Sequence, residues 1–112
     1  MVSYYDTQEM FYHGMMLGIL SNLYQYEIKS NREDGNGRTD IVLRDMRDDR
    51  AVVFEFKWSD DKDCLKKLPD IALNQVRENK YAEAIHKEGY NTVYAVGVGF
   101  CKKTCEVAIE EM

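Results

Sequence analysis

Between residues 7 and 26 the apolar positions fall at Met10, Phe11, Met15, Leu17, Ile19, Leu20 and Leu23. Spacings of three and four predict a helix there, capped by Asp6 or Thr7. Residues 26–30 alternate Tyr26 and Ile28 with Glu27 and Lys29, the pattern of a short strand with one face on a core. A polar, glycine-punctuated turn follows at 31–38 (NREDGNGR), and Ile41, Val42 and Leu43 resume a strand over 40–44. The charged link 45–50 then leads into the strongest strand of the chain, AVVFEFKW at 51–58. The last two strands read as an antiparallel hairpin. Counting outward from their turn sets Leu43 beside Val52 and Asp40 beside Glu55.

Residues 65–88 are rich in helix formers, with apolar positions at Leu68, Ile71, Ala72, Val76, Tyr81, Ala84 and Ile85. Pro69 suits the first turn of such a helix, where a missing N–H does little harm, and Gly89 suits its end. A core strand follows at 91–100 (NTVYAVGVGF), and the tail 102–112 is expected to form a short helix. The order is α-β-β-β-α-β. A long helix between the third and fourth strands implies a parallel crossover beside an antiparallel hairpin. The expected class is α/β (α+β), a mixed four-stranded sheet flanked by helices, with 1–112 as a single domain.

Composition narrows the function classes. At 112 residues, with 45% hydrophobic and 31% charged positions, the chain has the balance of a folded domain and not of a disordered one. No apolar run reaches the roughly 18 residues of a membrane span, and nothing at the start reads as a signal peptide. Three cysteines at irregular spacing fit a reducing compartment, so a cytoplasmic setting is expected. Fifteen basic against 20 acidic residues leave a net charge of -5, so any contact with nucleic acid must come from a local site or bridging cations.

That site is sought in the strand at 51–58, where Glu55 and Lys57 interrupt an apolar run at a spacing of two and so leave the same sheet face. An edge strand with one wet face is the bland account. If helices cover the face, desolvating a charge costs several kcal/mol unless it is paired or binds a metal. Asp40 changes the balance. Two carboxylates about 4 Å apart repel by roughly 4 kcal/mol at an effective dielectric near 20. A divalent cation between them removes that repulsion, and oxygen ligands suit Mg²⁺ or Mn²⁺. Lys57 beside it could orient or deprotonate a water, or stabilise charge on a phosphoryl oxygen.

Asp40 followed by Glu55-Phe56-Lys57, within an α-β-β-β-α-β order, resembles the PD-(D/E)XK nuclease superfamily. Glu9, SNREDGNGRTDIVL, VVFEFKW and ALNQVRENKYAEAIHKEGY resemble more narrowly the nuclease-like domain at the C-terminus of bacterial predicted AAA-type ATPase proteins. The resemblance runs from about Glu9 to Phe100. It implies a restriction-endonuclease-like core that hydrolyses phosphodiester bonds in nucleic acid, with DNA the expected substrate. It also implies Asp40, Glu55 and the Phe56 carbonyl as Mg²⁺ or Mn²⁺ ligands and Lys57 as the catalytic lysine. Glu9 resembles an acidic residue that relatives place on the first helix, and His13 lies one turn further on. Gln75 matches a helical Gln of RecB-like relatives, but Tyr81 follows it by six residues where the usual spacing is QxxxY. Thr39 stands where the superfamily often has proline.

Other features carry less. Cys101 and Cys105 could hold a soft metal, without a second pair to complete a zinc site. Lys62, Lys66 and Lys67 could meet phosphates or form a solvated face. A different class of function is an accessory or oligomerisation module attached to an ATPase partner. The chain is short for this fold, so it is expected to be a piece of a longer protein or to gain surface as a homodimer, for which Tyr4, Tyr5, Phe11 and Tyr12 offer a contact.

Overall fold

The computed structural model describes residue 14, residues 27–30 and residues 40–112, with the backbone alone at 27–30 and 40. Apart from Gly14, which is helical and exposed, the predicted first helix lies outside the described residues, as do Glu9, His13, the N-terminal aromatics and the turn at 31–38.

The chain runs β1 (Glu27–Ser30), β2 (Asp40–Asp45), β3 (Arg50–Trp58), a 3-10 helix (Lys62–Lys67), α1 (Leu68–Glu78), α2 (Tyr81–Lys87), β4 (Thr92–Cys101) and β5 (Thr104–Glu111). The strands form one sheet in the order β1-β2-β3-β4-β5, with β3 and β4 parallel and the other neighbours antiparallel. The predicted mixed four-stranded core is present as β1 to β4. The hairpin register is the one counted from its turn, with Leu43 opposite Val52 and Asp40 opposite Glu55.

Two elements differ from expectation. The tail is a fifth strand and not a helix. Cys105, Val107 and Ile109 alternate with Glu106, Ala108 and Glu110, and the open edge of β4 supplies the hydrogen-bond ladder that a lone helix would lack. The predicted helix over 65–88 is divided into three pieces. Lys80, in a left-handed conformation at φ 57°, separates α1 from α2. In one continuous helix Ile85 would lie about 180° round from Val76 and face away from the sheet. The break resets the phase, and Val76, Ala82 and Ile85 are all buried.

One sheet face carries Val42, Ala51, Val53, Val93 and Ala95, on which Leu73, Val76, Ala82 and Ile85 pack. Fully burying side chains of this size contributes about 1.5–3 kcal/mol each, which holds both helices to the sheet. The other face gathers Ile41, Leu43, Phe56, Trp58, Val96, Val98 and Phe100, with Phe56 stacked on Phe54 and tilted on Phe100. Polar clasps fix the helices laterally. Arg44 on β2 donates twice to the Glu88 carboxylate, at 2.8 and 3.0 Å, and Arg77 on α1 pairs with Glu110 on β5.

Candidate active site

Strand β3 exposes Arg50 and buries Ala51, Val53, Glu55, Phe56 and Trp58. Glu55 shares its face with Ala51 and Val53, the face beneath α1, and is 1% exposed. Lys57 is next along that face and half-buried. The antiparallel register sets Asp40 directly across from Glu55. Opposed residues of this kind have Cβ atoms roughly 4.5–5.5 Å apart on one sheet face. Two acidic positions and a lysine thus converge where β2 begins and β3 ends.

Strand β4 determines how closely α1 covers this point. Gly97 pairs with Glu55 and Gly99 with Lys57. A Cβ on Gly97 would stand 2.3 Å from the Pro69 carbonyl oxygen and 3.1 Å from the Ala72 Cβ. On Gly99 it would stand 2.5 Å from the Leu68 Cβ. The two glycines let the first turn of α1 lie on the backbone of β4, beside the acidic residue and the lysine. Sequence reasoning missed this pair. Its signal is the spacing of two in AVGVGF, which puts both glycines on one face of a strand that otherwise carries bulky side chains.

The remaining predicted residues are distributed as follows. Phe56 is fully buried with the opposite face, so only its backbone is available on the plane of the site. Gln75 is half-buried on α1. Arg77 reaches β5, and Gln75, about 200° round the helix from it, stands on the opposite flank, toward β3. A shallow polar groove along the outer face of α1 is lined by Ile71, Asn74, Gln75, Glu78 and Asn79. Tyr81 opens α2 and packs with the core, so it does not share a helix with Gln75. Glu9 and His13 lie outside the described residues.

Cys101 and Cys105 do not form a metal pair. The register matches Cys101 with Thr104 and Phe100 with Cys105, which puts the two cysteines on opposite sheet faces; Cys101 is buried and Cys105 exposed.

Among the described residues no three His, Cys, Asp or Glu side chains group as a metal site. The donor set that would receive a cation is Asp40, placed by its backbone, with Glu55. Its chemistry fits a hard divalent ion. Both side chains offer only oxygen, one is sealed under a helix, and two adjacent anions are stable together when a cation lies between them.

Charges elsewhere serve the frame. Burial pushes the Asp45 carboxyl up, but the Asp48 N–H and the Arg50 guanidinium together hold it below the ordinary carboxylate value. His86 is raised, first by the Met112 carbonyl and then by that of Tyr90, each 2.8 Å from a ring nitrogen. Both lie away from the Glu55 end of β3.

A family model for the PD-(D/E)XK nuclease superfamily matches residues 7–110, nearly the whole chain. No curated protein and no solved structure matches it.

Proposed function

The chain belongs to the PD-(D/E)XK nuclease superfamily, and we propose on that premise that it hydrolyses phosphodiester bonds in DNA with Mg²⁺ or Mn²⁺ as cofactor. The observation that carries this reading is a 1%-exposed Glu55 sharing a sheet face with Lys57 and facing Asp40 across the hairpin register. Members of the superfamily generally use divalent metals. Asp40, Glu55 and the Phe56 carbonyl are the groups to hold one. A bound cation would lower the pKa of a water and neutralise charge on the phosphoryl oxygens.

The chain's own residues supply the rest. Lys57 directs its ammonium to the attacking water and to the negative charge developing on the phosphoryl group. The first turn of α1, seated on Gly97 and Gly99, keeps bulk water from the Glu55 side and so strengthens each charge interaction there. Gln75 orients polar groups from the β3 flank, and Glu9 would add an acidic group to the site. The setting is the cytoplasm, in keeping with three cysteines that are all free thiols.

The test is cleavage of DNA and RNA in Mg²⁺ or Mn²⁺ by the parent and by Lys57→Ala. A loss of about a hundredfold or more in the variant is expected. Equal activity in the two proteins would remove the enzymatic reading. Calorimetric titration with Mn²⁺ reads the site without turnover, and Asp40→Asn should abolish the binding. A parent that neither cleaves nor binds Mn²⁺ is an accessory module that retains the fold.

A further inference from the structure

The cleavage centre needs a way to hold a polyanion on a chain of net charge -5. Two groups of lysines meet beside it. Lys62, Lys66 and Lys67 are exposed on the 3-10 helix, and Lys102 and Lys103 are exposed at the two-residue turn between β4 and β5. Leu65, Leu68 and Cys101 form a buried cluster that fastens the 3-10 helix to the end of β4. Lys66 follows Leu65 and Lys102 follows Cys101, so each group stands one residue from that anchor. The anchor itself adjoins the site, because Leu68 fills the space above Gly99, the partner of Lys57. Lys102 is three residues past Gly99, roughly 10 Å along an extended strand. On a duplex, with a rise of about 3.4 Å per base pair, that is some three steps from the scissile bond.

Two further observations separate these lysines from an ordinary solvated face. Among the described residues Lys62, Lys66, Lys67 and Lys103 take part in no ion pair, whereas Arg44, Arg50 and Arg77 are each clasped to a carboxylate. Lys102 holds φ 52°, a left-handed backbone at a hairpin position where glycine, asparagine or aspartate is favoured. A lysine there serves its charge and not the turn. Asp61 caps the 3-10 helix, accepting from the Asp63 N–H and the Cys64 thiol. Asp60, Asp63 and Asp70 share the segment, so the surface suits spaced phosphate contacts and not a uniform positive field.

We infer that Lys62, Lys66, Lys67, Lys102 and Lys103 form a ledge that grips the phosphate backbone of DNA next to the cleavage centre. The inference rests on the nuclease reading and deepens it. Binding of a short fluorescein-labelled DNA duplex, followed by anisotropy in metal-free buffer between about 50 and 200 mM salt, tests it. The variants are the pairs K66Q/K67Q and K102G/K103S, the second of which also relieves the left-handed backbone and should melt no lower than the parent. Each pair should reduce the slope of log K against log salt by about 2 and weaken binding at least about tenfold at low salt. In cleavage, KM should rise more than kcat falls.

Unchanged slope and affinity in both pairs, with a parent that binds and cleaves, overturn the ledge and leave the nuclease standing. A parent that binds no duplex overturns the ledge as well. Lys57→Ala keeps the two readings apart. It should bind with a salt slope lowered by no more than about 1 while failing to cleave, and parental cleavage by this variant would sink the nuclease reading whatever the ledge variants do.

Discussion

Replacing Gly97 by alanine places a methyl group 2.3 Å from the Pro69 carbonyl oxygen and 3.1 Å from the Ala72 Cβ. The nearest atom is backbone, held in the first turn of α1 by a proline, so no side-chain rotation can clear it. An ordinary contact requires the helix to lift by about 1 Å, and a gap of that size forfeits roughly a quarter to a half of the dispersion energy across it. The gap would open beneath Leu68, Ala72, Leu73 and Val76, all buried on this face. Overpacking of this kind typically costs about 1–3 kcal/mol. With a backbone oxygen as the obstacle the cost lies in the upper half of that range, and alanine returns about 0.5–1 kcal/mol through lower unfolded-state entropy, leaving a net loss of about 1–2.5 kcal/mol. Urea denaturation measures it directly, and in a domain of this size the melting temperature should fall by roughly 3–10 °C. Because Gly97 pairs with Glu55, cleavage should fall as well, from a helix no longer seated over the carboxylate. An alanine variant as stable as the parent would refute the close approach of α1 and, with it, the seal over Glu55.

Three further outcomes follow from particular contacts. His86 places a carbonyl at each ring nitrogen, and only the protonated ring can donate to both. Its folded-state pKa is therefore raised, and the associated stability is complete below about pH 6.5 and lost as pH rises through the raised value. NMR titration of the two histidines, assigned with His86→Gln, should place His86 above its ordinary value, and urea midpoints should show the same trend in the parent only. The Cys64 thiol donates to Asp61, which raises its pKa, so a thiol reagent at neutral pH should react faster at Cys64 in Asp61→Ala than in the parent. Lys80→Gly removes a left-handed non-glycine residue between α1 and α2, and thermal melting should show stability unchanged or raised by up to about 1 kcal/mol.

Much of the frame was legible along the chain because local periodicity encodes it. The alternation around AVVFEFKW and the charged link before it specify a hairpin, and a hairpin specifies its own register. Asp40 opposite Glu55 was therefore readable by counting from the turn. The parallel crossover followed from the length of the intervening helical segment. The tail was not legible in the same way. Glu106 to Glu111 has the composition of a helix as much as of a strand, and the decision was made by the unpaired edge of β4, a partner that exists only once the sheet has formed. The division of the helical segment also lay in tertiary demand. Nothing at Asn79 and Lys80 forces a break, but Val76 and Ile85 cannot both reach the sheet without one.

For the site, residue order alone settles which charges share a strand face, since the pleat has a period of two. Whether that face is wet or sealed depends on what packs above it, and that was decided by Gly97 and Gly99 admitting α1 to the backbone of β4. The same holds for the lysines, which are distant in sequence and become neighbours through Leu65, Leu68 and Cys101. Strand periodicity is a local property of the backbone, whereas burial and the meeting of remote charges depend on which surfaces pack together.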